Sequence, residues 1–371
     1  MNEKHLSILF AGGGTGGHLY PALAIAEEVR RRNPDAAITF AGARGKIEER
    51  EVPERGFDFA PLWISGLSRR FSTATMLFPF RVLIAMWQSY HLIRSVRPDV
   101  VVGTGGYVSG APVFVAWLLG VPTMIQEQNS YPGITTRFMA SRVREVHLTF
   151  DRSARHLSRK DNIHFSGNPT RAVIGRPNRS EGARHLGVDP SGKTLLVMGG
   201  SQGAASINSA MLGALHTLVA DGTQIVWAVG DSDYERVENS VRGLQPGARG
   251  QVHIYRYIAE MEYAYAAADL AVTRAGATTL AELARAAVPS VLVPYPHAAA
   301  DHQMENAKAL VESGASVLCR DDELDVRLPG IVRTLLSDPV VLRRMSENAL
   351  GLSRPNAAGV LATAVERLAK A

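Results

Sequence analysis

The sequence predicts an α/β protein built from two Rossmann-like domains, each with a doubly wound parallel sheet. Short apolar strands alternate with helical patterns from residue 6 onward, and the alternation restarts near residue 194. Three strands run directly into glycine-rich loops, at residues 12–17, 103–106 and 199–203. Strands that are apolar on both faces and alternate with helices are typical of a parallel sheet covered on both sides.

The predicted domains are joined by a segment rich in Gly, Pro, Asn and Arg, residues 167–193, which is interpreted as a linker. The first domain is therefore predicted to comprise residues 1–166 and the second residues 167–354. A last helical pattern, residues 355–371, is predicted to pack back on the first domain. After the first glycine loop, the apolar spacing predicts a helix over Pro21–Arg32.

The composition indicates a globular protein with a mild basic excess. Of the 371 residues, 46% are hydrophobic and 20% charged, and the formal net charge is +5 with a pI of about 9.4. Such a balance suits an anionic partner: phosphate, anionic lipid or nucleic acid. The basic residues are scattered and lysines are few, which argues against nucleic acid.

Localisation signals are few. Cys319 is the one cysteine, so no internal disulfide can form, and a cytoplasmic location is expected. The N-terminal residues predict no secretory signal, and no apolar run reaches the ~18 residues of a spanning helix.

The first glycine loop has the position of a phosphate-binding loop, between a strand and a helix. Gly12, Gly14 and Gly17 match G-x-G-x-x-G, a weak pattern by itself. A dinucleotide-binding site has an acidic residue after the second strand, which binds the ribose hydroxyls. The segment Ala41–Arg44 contains no acidic residue, although Arg44 would suit the extra phosphate of NADP. A tight turn without a ligand is the remaining alternative. Walker-type, G-x-S-x-G and H-E-x-x-H motifs are absent from the sequence.

Further polar groups follow predicted strands. Gln126–Asn129 come after the strand Thr123–Ile125 and are interpreted as the rim of a site, with capping of the next helix as the alternative. Arg171 suits a diphosphate, or else caps a domain surface. A metal site at His302 is disfavoured, because no second histidine lies at ligand spacing in that helix.

The stretch Thr273–Gln303 carries the densest set of candidate groups. A strand ends at Thr273, and the next helix opens with small residues whose N–H groups suit a phosphate. Glu282, about one turn further, suits paired ribose hydroxyls or complements the helix dipole.

The segment Ser68–Trp87 mixes arginines with large apolar residues. It is interpreted either as a surface that docks on anionic lipid or as a core-facing helix with solvated arginines.

Taken together, these motifs resemble the MurG family of glycosyltransferases in order and spacing over nearly the whole chain. The matching segments are residues 12–24, 105–110, 127–129, 167–171, 199–203 and 273–306. The resemblance implies a GT-B architecture. It also implies a metal-independent, inverting transfer of N-acetylglucosamine from UDP-N-acetylglucosamine to the C4 hydroxyl of undecaprenyl-pyrophosphoryl-MurNAc-pentapeptide (lipid I), without a cofactor. The enzyme would lie peripherally on the anionic cytoplasmic face of the bacterial plasma membrane.

The resemblance also implies site residues, carried over position by position. The donor set is Thr15, Gly16, Gly17, Asn129, Arg171, Ser201, Ile258, Ala277, Thr278, Thr279, Leu280, Ala281, Glu282 and Gln303. The set facing the acceptor pyrophosphate is Gly14, His18, Gly103, Thr104, Gly105, Gly106 and Tyr107. Position 302 is His where some relatives have Gln, which leaves its sugar contact open.

Direct displacement at the anomeric carbon needs a base for the acceptor hydroxyl and stabilisation of the leaving UDP. Histidine exchanges protons near neutral pH, so His18 is favoured as the base, with Glu127 as the second candidate. The helix start at Ala277 and the cation Arg171 would stabilise the leaving group. Two alternatives stay open: a transferase of the same fold with another acceptor, and a nonenzymatic nucleotide-binding protein.

Overall fold

The structure is a computed structural model that describes residues 5–64, 78–200 and 203–371. The chain divides into two compact units, one comprising Met1–Thr170 with Arg354–Ala371 and the other Arg171–Ser353. Within the described ranges, the first unit contains a seven-stranded sheet and the second a six-stranded sheet. Every strand pairs in parallel with its neighbours, which confirms the predicted pair of Rossmann-like sheets.

The strands have these bounds in chain order. The first sheet consists of β1 Ser7–Ala11, β2 Ala37–Ala43, β3 Asp58–Leu62, β4 Val100–Gly103, β5 Thr123–Glu127, β6 Glu145–Leu148 and β7 Ile163–Phe165. The second consists of β8 Thr194–Met198, β9 Gln224–Ala228, β10 Val252–Tyr255, β11 Leu270–Thr273, β12 Ser290–Leu292 and β13 Ser316–Leu318.

The strand order locates the switch point of each sheet. The first sheet runs β3-β2-β1-β4-β5-β6-β7 and the second β10-β9-β8-β11-β12-β13. The chain therefore reverses its direction of winding between β1 and β4, and again between β8 and β11. Open α/β sheets bind ligands beyond the carboxyl ends of the strands at such a point.

The helices fill the connections between the strands. In chain order they are α1 Gly16–Arg32, α2 Ile47–Glu54, α3 Phe78–Val96, α4 Gly110–Leu118, α5 Ile134–Met139, α6 Arg179–Leu186, α7 Ala205–Ala220, α8 Tyr234–Arg242, α9 Pro246–Arg249, α10 Met261–Ala267, α11 Ala277–Arg285, α12 His302–Glu312, α13 Leu324–Ser337, α14 Pro339–Leu352 and α15 Ala357–Leu368. None of them, within the described ranges, combines the length and the apolar character that a bilayer crossing requires.

The first helix begins earlier than the sequence predicts. Proline is preferred at a helix start, which is why the pattern pointed to Pro21, but α1 begins at Gly16 and encloses that proline. Leu19 and Leu23 are buried in the core of the first unit, and this packing holds the glycine-rich first turn in a helical conformation. His18 consequently lies within the first turn of α1.

The segment 167–193 is more than a linker. It contains α6, whose N-terminus is closed by a capping box between Asn178 and Glu181. A Cβ at Gly182 would lie 2.6 Å from the carbonyl oxygen of Tyr263, so α6 and α10 approach at backbone distance. Residues from Arg171 onward belong to the second unit.

The C-terminal helix α15 packs on α1 of the first unit. Leu361 and Val365 are buried in the core that also contains residues of α1. Arg367 forms an ion pair with Glu145 at 2.7 Å, and Glu145 in turn contacts His147 Nε2 at 3.0 Å. The C-terminal helix is therefore joined to β6 by charged groups as well as by apolar packing.

His147 should make the first unit sensitive to acid. Burial lowers the pKa of His147 from 6.5 to about 4, although the neighbouring Glu145 opposes this. The unfolded chain therefore binds this proton at a higher pH than the folded one, so stability is full above about 6.5 and falls as the pH drops toward 4. Between pH 7 and 5 we expect the wild type to lose about 2 kcal/mol more than His147→Gln.

Hydrogen exchange of the β6 amides, corrected for the intrinsic effect of pH, measures this difference. His216→Gln, at an exposed position of the second unit, serves as the matched control. Equal losses of stability between pH 7 and 5 in the wild type and in His147→Gln would show that the buried His147 ring does not contribute to the acid sensitivity.

Candidate functional site

The glycine loops after β1 and β4 flank the switch point of the first sheet and contact each other directly. A Cβ at Gly12 would collide with the Thr104 hydroxyl, and a Cβ at Gly106 would lie 2.6 Å from the carbonyl oxygen of Gly13. Gly106 also has a φ of +73°, which L side chains rarely adopt. The glycines are therefore required by backbone approach, and the two loops form a single surface.

Glu48 holds the first glycine loop from beneath. Its Oε1 accepts hydrogen bonds from the N–H of Gly14 at 2.9 Å and of Ala43 at 3.0 Å, and the side chain is 1% exposed. The Gly14 N–H is thus already engaged, so in this conformation it does not face a ligand phosphate. Thr15 and Gly16, at the more exposed start of α1, follow it.

Sequence analysis missed Glu48. The dinucleotide-binding pattern has its acidic residue directly after β2, at the position that would serve a ribose. Glu48 lies further along, in α2, and folds back onto the loop. Its recognition requires the tertiary path of α2, which no local pattern supplies.

His18 is oriented by two oxygen acceptors. Its Nδ1 lies 2.9 Å from Gln128 Oε1 and 3.2 Å from the Thr104 carbonyl oxygen. The Gln128 amide is fixed because its Nε2 donates to the same Thr104 carbonyl at 2.8 Å. Since both neighbours of Nδ1 are acceptors, Nδ1 carries the proton, and the lone pair resides on Nε2. His18 is therefore arranged to accept a proton at Nε2.

Glu127 lies in a different environment from the predicted rim. The strand β5 extends to Glu127 rather than ending at Ile125, and both Gln126 and Glu127 are buried. The carboxylate of Glu127 accepts four hydrogen bonds, from Asn129 N, Asn129 Nδ2, Gly133 N and Thr136 Oγ1, at 2.6–3.2 Å. It thus caps the start of α5 and holds Asn129, which is the capping alternative that the sequence left open.

The second unit repeats the arrangement at its own switch point. After β8, Gly203 lies against the end of β9 at backbone distance, because a Cβ at Gly203 would collide with the Val229 carbonyl. Ser201, a predicted donor contact, lies outside the described residues, as does Gln202. Strand β11 lies next to β8, and it leads into α11. This helix begins at Ala277, and its N-cap residue is Gly276, which has no side chain to cap the helix. The start of α11 thus presents main-chain N–H groups, the usual donor set for a phosphate.

Arg171 and Glu282 are brought together with a buried tyrosine. Arg171 Nε donates to Glu282 Oε1 at 3.3 Å, and Tyr265 Oη donates to Glu282 Oε2 at 3.0 Å. Arg171 Nη1 also donates to the Ala259 carbonyl at 3.2 Å, next to the buried Ile258. Burial raises the pKa of Glu282, opposed by the charge of Arg171, and burial together with Glu282 raises that of Tyr265. Tyr265 was not predicted, since its pattern is that of an ordinary core residue.

The remaining predicted residues lie near these groups. Thr278, Thr279 and Ala281 lie on α11, partly exposed, and Leu280 is buried there. Gln303, at the start of α12, accepts a hydrogen bond from the Tyr295 N–H at 2.9 Å through Oε1. In the first unit, Gly17, Gly103 and Gly105 complete the two glycine loops around His18 and Tyr107.

Within residues 5–64, 78–200 and 203–371, no three His, Cys, Asp or Glu side chains are grouped as metal ligands.

Comparisons with known proteins identify the family to which the chain belongs. The glycosyltransferase family 28 N-terminal domain matches residues 8–148, and its C-terminal domain matches residues 194–361. The UDP-N-acetylglucosamine–N-acetylmuramyl-(pentapeptide) pyrophosphoryl-undecaprenol N-acetylglucosamine transferase of Salinibacter ruber is 41% identical over 370 residues, covering 100% of this chain and 98% of the relative. The protein of the same name from Chlorobium luteolum is 44% identical over 371 residues, covering 98% and 100%.

Solved structures of glycosyltransferases share the fold of this chain. The crystal structure of Acinetobacter baumannii MurG superimposes with a TM-score of 0.77 at 25% identity, covering 98% of this chain and 99% of that one. CalG4, the calicheamicin glycosyltransferase, shares the fold, with a TM-score of 0.68 at 18% identity over 99% and 98% of the two chains. The predicted GT-B fold class is confirmed.

The buried Glu282 should impose a pH dependence of opposite sign to that of His147. Its raised pKa means that the folded state binds this proton more tightly than the unfolded one, whose value is near 4.5. Its contribution is therefore full below about 4.5 and is lost as the pH rises through the raised folded value. Glu282→Gln keeps an acceptor for Tyr265 and should abolish this loss, as read by hydrogen exchange of the α11 amides.

Glu262→Gln is the control, because Glu262 also lies 3.8 Å from Arg171. If Glu282→Gln and wild type lose protection in parallel as the pH rises, Glu282 is not the group responsible.

Proposed function

We infer the reaction from one premise: this chain belongs to glycosyltransferase family 28, and within it to the N-acetylglucosamine transferases named above. The protein transfers N-acetylglucosamine from UDP-N-acetylglucosamine to lipid I, the pyrophosphoryl-undecaprenol that carries N-acetylmuramyl-pentapeptide. We propose that the C4 hydroxyl of the muramyl sugar attacks the anomeric carbon with inversion. The full-length similarity at 41–44% identity supports this donor and this acceptor.

We propose that His18 is the base. The observation that carries this assignment is the pair of oxygen acceptors at Nδ1, which leaves Nε2 with the lone pair. Nε2 would take the proton of the acceptor hydroxyl as the new glycosidic bond forms. Glu127 is the weaker candidate, because its carboxylate is already occupied by four donors within α5 and the preceding loop.

For the leaving UDP, the groups of the second unit are proposed to act together. The main-chain N–H groups at the start of α11 would bind the diphosphate and stabilise the charge that develops on it. Glu282 would accept hydrogen bonds from the ribose hydroxyls, with Arg171 balancing its charge. Ile258 would line the uracil pocket, and Gln303 would donate to the sugar through its Nε2. Ser201 and Asn129 remain proposed donor contacts.

The acceptor side is proposed to lie on the glycine loops of the first unit. Residues 103–107 would face its pyrophosphate, with main-chain N–H groups of this loop as donors, although the Thr104 N–H already donates to the Ala11 carbonyl. Thr15, Gly16 and Gly17 remain proposed donor-substrate contacts. This proposal keeps His18 beside the acceptor. For Gly14, an N–H contact to phosphate would first require release from Glu48.

Peripheral docking on the anionic cytoplasmic face of the plasma membrane is proposed for the first unit. On α3, Phe80, Leu83 and Trp87 are 64%, 63% and 63% exposed, which is unusual for such large apolar side chains. Arg142 lies over the Trp117 ring at 5.7 Å, so a cation borders apolar surface, as interfacial proteins require. Ser68–Phe71, Met76 and Leu77 of the predicted docking segment lie outside the described residues.

UDP release from UDP-N-acetylglucosamine, measured in EDTA with and without a short-chain lipid I analogue, tests the reaction. We expect release that requires the analogue and survives EDTA, because the chemistry is assigned to protein groups. UDP binding without analogue-dependent release would exclude lipid I and direct the search to other acceptors. Release abolished by EDTA and restored by a divalent ion would contradict the metal-independent mechanism.

Substitution of His18 separates the two candidate bases. We expect His18→Gln to lower kcat by about 10²–10⁴-fold with little change in the KM for the donor, because a proton acceptor is lost. Glu127→Gln should act mainly by loosening residues 129–136, visible as faster hydrogen exchange there. Near-full turnover of His18→Gln would remove His18 as the base, and normal protection with lost turnover in Glu127→Gln would move the role to Glu127.

A further inference from the structure

An apolar pocket of ≈ 400 Å³ lies in the first unit between α3, α4 and α5. Six apolar side chains, two from each helix, form most of its wall: Val82, Met86, Ala111, Phe114, Ile134 and Phe138. No charged side chain lines it among the described residues. Apart from the hydroxyls of Tyr107 and Thr135, the side chains of its wall are apolar, so the pocket suits a small hydrocarbon group better than a phosphate.

The pocket adjoins the β4 glycine loop. Tyr107 belongs to both, since it lines the pocket and lies against the first glycine loop, where a Cβ at Gly14 would be 3.0 Å from its ring. Thr135, also in the pocket wall, donates through Oγ1 to the Gly106 carbonyl at 3.4 Å. The apolar pocket and the glycine loops are thus separated by about the width of the Tyr107 ring.

We propose that this pocket binds the isoprenoid units of the acceptor that are nearest its pyrophosphate. The inference rests on the proposed function, which assigns the pyrophosphate to residues 103–107. In a polyprenyl pyrophosphate the hydrocarbon chain begins at the phosphate oxygen, so a phosphate on the glycine loops brings the first isoprene units to the pocket. The glycine loops would thus face the pyrophosphate, and the adjoining apolar pocket would face the first isoprene unit bonded to it.

The mouth of the pocket favours an occupant whose hydrocarbon chain continues beyond it. Ile134 is 77% exposed and Phe138 52% exposed at its edge, so the pocket opens to an apolar rim. Arg142 lies 4.3 Å above the Phe138 ring and places a cation at that rim. The distal chain would continue over this rim toward the apolar face of α3, while the pocket recognises only the proximal units.

The test uses two soluble acceptors that share the pyrophosphoryl-MurNAc-pentapeptide head and carry either an ethyl or a geranyl group. Assays in detergent-free buffer, without vesicles, remove membrane docking from the comparison. We expect kcat/KM of the wild type to be about tenfold or more higher with geranyl, because the chain buries apolar surface in the pocket. Ala111→Phe, which fills the pocket, should reduce this ratio to near one.

Ala220→Phe, an identical substitution at an exposed position of the second unit, is the matched control and should keep the ratio. Ile134→Asp places a charge at the mouth from an exposed position where folding is tolerant, and it should also reduce the ratio to near one. It decides the question if Ala111→Phe fails to fold. A wild-type ratio near one, or a ratio unchanged in both pocket variants, would overturn the proposal.

A geranyl pyrophosphate with a photoreactive group on its chain separates failure of this inference from failure of the proposed function. Labelling of α4 or α5 supports the pocket even if neither acceptor is glycosylated, an outcome that would refute only the reaction. Labelling confined to other parts of the chain contradicts the pocket even if both acceptors turn over. Labelling of these helices by a photoreactive phosphatidylglycerol but not by the geranyl probe would identify membrane lipid as the occupant and overturn the proposal.

Discussion

The backbone approach of the loops after β1 and β4 is the constraint on which the chemistry of the first unit depends. The sheet reverses its winding between these two strands, so their carboxyl ends border one crevice. Only glycine allows the Gly106 backbone to approach the Gly13 carbonyl as it does. The Thr104 hydroxyl then donates to the main-chain carbonyl of His18, and the Thr104 carbonyl, with Gln128, accepts from His18 Nδ1. The second contact leaves the lone pair on Nε2, as the proposed role of His18 as a base requires.

Three buried glutamates show how the surrounding donors decide the role of one residue type. Glu48 accepts from main-chain N–H groups of the first glycine loop and of β2, and Glu127 accepts from the loop before α5. Both carboxylates stabilise the conformation of the backbone segments whose N–H groups they accept from. Glu282 instead accepts from a tyrosine hydroxyl and a guanidinium, which are side chains and not main-chain groups. Burial alone therefore does not distinguish the two acids that hold a loop from the one proposed to bind the ribose.

Fold and reaction are determined at different levels. CalG4, the calicheamicin glycosyltransferase, shares the fold at 18% identity, and a fold by itself does not determine the acceptor. In this protein the features that would select a lipid acceptor, namely the apolar pocket, the exposed face of α3 and the arginine-bordered rim, all belong to the first unit. The switch point of the second unit carries the groups proposed for the nucleotide.

The sequence by itself determined the two parallel sheets, the glycine loops and the family. Apolar strands followed by glycines are local patterns that can be recognised without tertiary information. Residues such as His18, Arg171 and Glu282 are predicted as site residues because they belong to long motifs. The start of α1 differs from the prediction, because local preference favours Pro21 whereas the helix begins at Gly16 and packs Leu19 and Leu23 into the core.

Only the tertiary structure decided what several of these residues contact. Glu127 has the sequence context of a site rim, yet β5 carries it into the interior, where it caps α5. Glu48 and Tyr265 belong to no recognisable motif, because their partners are distant in sequence and near only after folding. The apolar pocket likewise arises from three helices separated along the chain, so its existence depends on their packing and not on any one segment.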